Sequence, residues 1–263
     1  MKHLGKVAVL LGGDSSEREV SLLSGAEVHQ GLLQAGVDAH LYDTQKQSLF
    51  DLKKQGFERV FIVLHGGAGE DGRVQAVLET MGLPYTGCGM LASGLGMDKL
   101  RSKMIWQAAG LPVPEFAVLQ DDTDFDAVEK TLGLPLFVKP AAEGSSVGVV
   151  KVTEKGTLAE VYQDLKQYRG AIIAERFIGG GEYTCGILGF EALPTIKIIP
   201  KTEFYDYEAK YFRDDTEYLC PADLTDADES LMRQLALQAF EVIGGRGWGR
   251  VDFLRGVDGK LYL

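Results

Sequence analysis

Two short apolar runs break abruptly into glycine: Lys6 to Leu11 into Gly12-Gly13, and Val60 to Leu64 into His65-Gly66-Gly67-Ala68-Gly69-Glu70-Asp71-Gly72. An uninterrupted apolar strand has no face to give to water, so it belongs in a parallel sheet covered on both sides. After the first run, Ser15, Ser16 and Glu17 form a polar cap region ahead of a stretch to Ala35, and Gly36 stands where helix ends favour glycine. His40 to Asp43 reads as the intervening strand, and Val74, Val77, Leu78 and Met81 recur at helical spacing after the second run. The repeated order of strand, glycine loop and helix predicts a doubly wound parallel α/β domain, with a boundary just before Lys99.

Beyond that boundary the rhythm changes. A helix over Lys99 to Ala109 runs into Gly110-Leu111-Pro112-Val113-Pro114. Leu136 to Lys139 and Val147 to Val152 read as strands around the loop Glu143-Gly144-Ser145-Ser146-Val147-Gly148. Leu158, Val161, Tyr162, Leu165 and Tyr168 mark an amphipathic helix, and Ala171 to Ala174 the next strand. After Gly179-Gly180-Gly181 come strands near Tyr183 to Leu188 and Thr195 to Ile199, an aromatic and charged segment from Thr202 to Cys220, a helix around Leu231 to Ile243, and a hairpin closed at Asp258-Gly259. This second part is α+β. The last strand has nothing after it to cover its sheet, which predicts a piece of a longer protein.

With 263 residues, 45% hydrophobic and 25% charged, the chain is composed like a folded protein rather than a disordered one. A net charge of -11 repels a nucleic-acid backbone, so no nucleic-acid partner is expected. No apolar run reaches the roughly 18 residues a membrane helix needs. Cys88, Cys185 and Cys220 are odd in number and widely spaced, which suits a reducing cytoplasm better than a disulfide framework or a zinc site.

Several segments carry candidate chemistry, each with a plainer rival. There is no GxxxxGK[ST] phosphate loop. Gly87-Cys88-Gly89-Met90-Leu91-Ala92 matches a loose dinucleotide fingerprint, but without an acidic residue about 20 positions on it reads as a tight turn into a helix. The loop from Glu143 to Gly148, close after Lys139-Pro140, reads equally as a backbone cradle for phosphates or a flexible hairpin tip. Glu175, Arg176, Phe177 and Ile178, at a strand exit, offer backbone amides to an adenine edge, with Glu182 placed for ribose hydroxyls. Arg250 and Asp252 share one strand face, as a magnesium-holding pair or a structural salt bridge. Lys99, Lys139 and Lys210 make a local positive site or solvated surface. His65 ends a buried strand, where open α/β sheets bind ligands, and Glu17 occupies the equivalent loop after the first strand; capping a helix is the rival role for Glu17. The Thr202 to Cys220 segment reads as a lid packed by its own aromatics or as edge strands.

In their order these segments resemble the D-alanine–D-alanine ligase family of the ATP-grasp superfamily. The resemblance runs through LLGGDSSEREVS (Leu10 to Ser21), HGGAGEDG, LPYTGCG (Leu83 to Gly89), MDKLRSK (Met97 to Lys103), VKPAAEGSSVG (Val138 to Gly148), FYDYEAKY (Phe204 to Tyr211) and GWGRVD (Gly247 to Asp252). It implies an N-terminal substrate-binding domain over 1–98 and an ATP-grasp fold of two lobes, 99–179 and 180–263, the second incomplete. It also implies ATP as co-substrate, Mg²⁺ or Mn²⁺ as cofactor, D-alanine as substrate, a homodimer and a cytoplasmic place in cell-wall peptidoglycan synthesis. Lys99 and Lys139 match phosphate-binding lysines, and Glu143, Ser145 and Ser146 lie in the matching phosphate loop. Glu175 to Ile178 match the adenine site, Glu182 the ribose ligand, and Lys210 a lid residue on the γ-phosphate. Glu17 and His65 fall where the first D-alanine is held, and Arg250 where the oxyanion is stabilised. Glu17, Ser145 and Tyr211 match a trio coupling lid to substrate pocket, and tyrosine at Tyr211 favours D-alanine over D-lactate as second substrate.

Two departures stand out. Arg176 and Phe177 replace the Lys-Trp of many relatives, which keeps charge and stacking while altering nucleotide affinity. Of the magnesium ligands only Asp252 is present, the family's Glu-x-Asn pair being expected beyond Leu263, so the 263-residue chain alone is expected not to turn over. The rival readings are a related ligase with another second substrate and a non-catalytic nucleotide-binding fragment or NAD-dependent enzyme.

Overall fold

A computed structural model describes residues 4–201 and 215–263. They divide into two units, one of Met1–Gly96 with Gly244–Trp248, the other of Met97–Ile243 with Gly249–Leu263.

In the first unit, β1 (Val7–Leu11) is the centre of a parallel sheet, between β2 (Ala39–Asp43) and β3 (Arg59–Ile62). Every residue of β1 is buried because both faces are covered. Ala8 and Leu10 join one core with Tyr42, Leu52, Phe57, Val74 and Leu78, while Val9 joins another with Ala39, Val63 and Val28. The apolar run therefore needed no alternation, as its sequence predicts. Thr86 donates to the Val60 carbonyl and Val60 to that of Pro84, so the segment before the GxGxxA stretch extends the sheet beyond β3.

Helix α1 (Arg18–Gln34) has almost no hydrophobic stripe, yet it packs on β1 and β2. Its buried residues are Ser21 and Gly25. A Cβ at Gly25 would lie 2.6 Å from Leu11 Cβ, so the missing side chain is what lets helix and strand close. Ser21 Oγ donates to the Val63 carbonyl at 2.6 Å and accepts from Gly12 N–H at 2.9 Å, tying helix, β3 end and β1 end together. Two more helices follow, α2 (Arg73–Met81) and α3 (Met90–Gly96), the latter starting in the GxGxxA stretch as its reading as a turn into a helix expects.

The second unit begins with α4 (Lys99–Ala108), capped by Asp98, whose carboxylate accepts from Arg101 N–H at 2.9 Å. It holds a four-stranded antiparallel sheet from β4 (Phe116–Leu119), β5 (Leu136–Pro140), β6 (Val150–Val152) and β7 (Ile172–Arg176), ordered β4-β7-β5-β6. Helices α5 (Phe125–Leu132) and α6 (Leu158–Leu165) supply Leu132, Leu158, Tyr162 and Leu165 to the core beneath it, against Leu136, Val138, Ile172 and Ala174. β4 and α5 were not legible in the sequence.

A five-stranded sheet completes the unit: β8 (Gly181–Leu188), β9 (Glu191–Ile199), β10 (Glu217–Leu219), β11 (Trp248–Arg255) and β12 (Leu261–Tyr262), ordered β10-β9-β8-β11-β12. Helix α7 (Asp226–Val242) packs on β8 and β9. It begins earlier than its apolar pattern predicts, because Thr225 caps it by accepting from Asp228 N–H and three acids fill its first turn. The hairpin predicted at Asp258-Gly259 joins β11 to β12. β10 places Tyr218 on an edge strand, so the end of the aromatic segment follows the edge-strand reading.

Candidate active site

In the first unit the loops after β1 and β3 meet. Ser15 Oγ donates to the His65 carbonyl at 2.6 Å and accepts from Glu17 N–H at 3.2 Å, so one hydroxyl links the two segments. Glu17 stands at the N-cap of α1 but makes no side-chain capping bond; its carboxylate lies over Gly66 instead, where a Cβ would collide with it. Gly66 has φ +63°, so glycine is required there by both conformation and space. Glu17 and His65 thus share one crevice at the carboxyl ends of parallel strands, where such sheets bind ligands.

The same end of the sheet carries a strong ion pair. Arg18 Nη2 lies 2.7 Å from Asp43 Oδ2, and Arg18 Nη1 donates to the Gly13 carbonyl at 2.8 Å. The guanidinium holds the Asp43 carboxyl down to about 2. The loop bearing Glu17 is thereby fixed to β2.

In the second unit the antiparallel sheet has one face on its apolar core and the other lined with charge and aromatics. Alternation along β5 and β7 puts Phe137, Lys139 and Glu175 on the second face. The register sets Glu175 opposite Phe137 and diagonal to Lys139, and Lys139 Nζ reaches Glu175 Oε2 at 2.6 Å. Glu175 is 3% exposed. Burial pushes its carboxyl pKa up, but the charges of Lys139 and Lys103 more than offset this and hold it below the ordinary value. Lys103, from α4, is itself 5% exposed and lies 3.3 Å from Glu175 Oε1, an ion-pair contact without hydrogen-bond alignment. Burial lowers the Lys103 ammonium to about 8, with Glu175 drawing it back up and Lys139 pressing it down.

Lys99 ties the start of α4 to the serine loop: its N–H donates to the Ala141 carbonyl at 2.9 Å and its ammonium to the Glu143 carbonyl. Ser145 and Ser146 take φ of 51° and 60°, a left-handed conformation that costs a non-glycine residue about 1 kcal/mol or more and is found where a loop must present its backbone to a ligand. Positive φ at two successive residues is equally a feature of hairpin turns, so the conformation fits both the phosphate cradle and the hairpin tip. Phe177 packs on Phe137 with centroids 5.7 Å apart, and Lys151 stands 4.6 Å over its ring. Arg176, on the opposite face of β7, pairs with Glu115 at 2.6 Å. Ile178 follows the strand, half-buried, and Glu182 sits on β8 opposite Ile198.

On β11, Arg250 and Asp252 do share a face and bond to each other, Nε to Oδ1 at 2.8 Å and Nη2 to Oδ2 at 3.2 Å. Thr184 donates to the same carboxylate at 2.7 Å. Among the described residues no group of three or more His, Cys, Asp and Glu gathers as a metal site, and no helix is long and apolar enough to cross a membrane. Lys210 and Tyr211 lie outside the described residues. The residue that sequence reasoning missed is Lys103. Its available signal was spacing: Lys99 and Lys103 stand four apart on one helix, hence on one face.

Two family models match the chain: D-ala D-ala ligase N-terminus over residues 45–88 and D-ala D-ala ligase C-terminus over 105–263. The chain is 64% identical over 264 residues to a D-alanine–D-alanine ligase of Neisseria gonorrhoeae, covering 100% of this chain and 87% of that protein. It is 59% identical over 261 residues to one from Laribacter hongkongensis, covering 99% and 85%. Among solved structures, the D-alanine–D-alanine ligase of Bacillus anthracis superposes with a TM-score of 0.85 at 33% identity, covering 98% of this chain and 84% of that one. The same enzyme complexed with ATP gives a TM-score of 0.84 at 30% identity with the same coverage. The ends of a parallel sheet that join Glu17 to His65, the antiparallel sheet that buries Glu175 between two lysines, and these likenesses along the whole sequence agree: the chain belongs to the D-alanine–D-alanine ligase family.

Proposed function

We infer that the chain is an ATP-dependent ligase that joins two D-alanines into D-alanyl-D-alanine, with ADP and phosphate as the other products, for peptidoglycan synthesis. A carboxylate is a poor electrophile, so its oxygen first takes the γ-phosphoryl group as the bond to ADP breaks. The amine of the second D-alanine then attacks the acyl carbon, and phosphate leaves with the bonding electrons.

The observation that carries this reading is the lysine arrangement of the second unit: Lys139 paired to a buried carboxylate, and Lys99 tied to the loop of Ser145 and Ser146. Lys99, Lys139 and the loop of Glu143, Ser145 and Ser146 bind phosphates, with Lys210 on the γ-phosphate. Glu175 to Ile178 border adenine, where Phe177 supplies an aromatic face, and Glu182 accepts from ribose. Glu17 and His65 hold the first D-alanine by its ammonium and carboxylate. Arg250 offsets the charge that develops on the tetrahedral oxygen. Glu17, Ser145 and Tyr211 help to take the proton from the attacking amine.

Asp252, a half-exposed carboxylate now bonded to Arg250 and Thr184, would offer a hard oxygen to Mg²⁺ or Mn²⁺ held mainly by water and nucleotide, and the ion would offset phosphate charge. The division of the nucleotide-binding part into lobes 99–179 and 180–263, a homodimer and a cytoplasmic location complete the proposal.

ADP release by the full-length protein, measured with D-alanine, D-serine and D-lactate as second substrates, tests it. D-alanine is expected to give the fastest release, and release independent of D-alanine overturns the reading. Lys210→Ala is expected to lower turnover sharply while the protein stays folded; unchanged kinetics reject the lid assignment.

A further inference from the structure

Lys139 alone presents a weakened positive charge to a phosphate, because Glu175 lies 2.6 Å from its ammonium and is sealed from water. A buried carboxylate against one lysine makes a pair of zero net charge, which attracts an anion only as a dipole and far more weakly than a free cation does. The second lysine changes that count. Lys103 enters from α4 on the other carboxylate oxygen, 3.3 Å away, so the three side chains sum to a single positive charge. Lys103 is the more deeply buried of these two lysines: it is 5% exposed, and its ammonium also donates to the Leu263 backbone oxygen at 3.1 Å. It is poorly placed to touch a nucleotide itself. Its carboxylate contact lacks hydrogen-bond alignment, so what it supplies to Glu175 is charge more than direction.

We propose that Lys103 is a positioning residue of the nucleotide site, which neutralises Glu175 from behind so that Glu175 fixes the Lys139 ammonium in place without cancelling its charge. Glu175 then acts as a bracket between two cations, and the charge left over is the one Lys139 offers to phosphate. This rests on the reading of Lys139 as a phosphate-binding lysine.

Binding of ATP and of adenosine, measured by calorimetry on the full chain, tests the idea in four variants. Lys103→Met is expected to weaken ATP on the order of tenfold while leaving adenosine unchanged, since only the phosphates feel the lost charge. Lys103→Met combined with Glu175→Gln removes both opposing charges, and ATP affinity is expected to return to within a few-fold of the parent. Glu175→Gln alone, which keeps both lysines, is expected to raise the ratio of ATP to adenosine affinity, a ratio that cancels any effect of Glu175 on adenine, and this arm stands even if Lys103→Met fails to fold. Lys139→Met separates the two levels. If it binds ATP normally, the reading of Lys139 falls. If it weakens ATP while Lys103→Met does not, or if the double variant stays as weak as Lys103→Met, Lys103 has no part in charge balance and the proposal alone is overturned.

Discussion

The two units use their sheets in opposite ways. In the first, both faces of β1 are buried, and polar groups are left to the loops beyond the strand ends, where the segments of Glu17 and His65 meet through Ser15. In the second, one face of the β4-β7-β5-β6 sheet carries the apolar core, and the other carries Lys139 and Glu175 in mid-strand. A parallel sheet wrapped by helices has no free face, whereas an antiparallel sheet covered on one side has a whole face to present. Function should therefore be sensitive to single side chains in the second unit and to loop anchoring and close packing in the first.

The largest effect expected on that comparison is at Lys139. Lys139→Met should lower kcat/KM for ATP by about 100-fold or more, with a much smaller loss of stability, because Lys103 still neutralises Glu175 although Oε2 loses its hydrogen bond. A drop in melting temperature matching the loss of activity would make the sheet face structural. In the first unit Gly25→Val should act the other way, destabilising by about 3 kcal/mol in urea titration through collision with Leu11. An unchanged midpoint would mean that α1 does not depend on close approach to β1.

Asp43→Asn is expected to destabilise the protein at neutral pH. The folded carboxyl titrates at about 2, below its ordinary value of 3.8, so the Arg18 pair stabilises fully above about pH 4 and is lost as the pH falls toward 2. Urea midpoints of parent and variant should accordingly converge over that range; a gap constant with pH would contradict the ion pair. The smallest effect is at Ser146, where glycine relieves a left-handed φ of 60° and should raise stability by about 0.5 kcal/mol. A loss there would show that the serine side chain, not only its backbone, secures the loop.

Much of where the candidate residues lie was legible because they sit beside punctuation. Glycine runs flagged the loops of His65 and Ser145, and the spacing of Arg250 and Asp252 placed them on one strand face, where they do bond. The rest was hidden where no local pattern exists. α1 packs by small residues, Ser21 and Gly25, which leave no hydrophobic period to read. Glu175 looked like a backbone contributor at a strand exit, and Lys103 like one more lysine in a basic helix.

The sequence by itself determined the order of elements, the buried parallel strands and the family, since apolar runs, glycines and motif order are local features that survive in one dimension. Only the tertiary structure decided that Glu175 stands between Lys139 and Lys103. That depends on the register of β7 against β5 and on where α4 is laid, and a charge acquires its meaning from neighbours brought to within 3.3 Å in an environment closed to water.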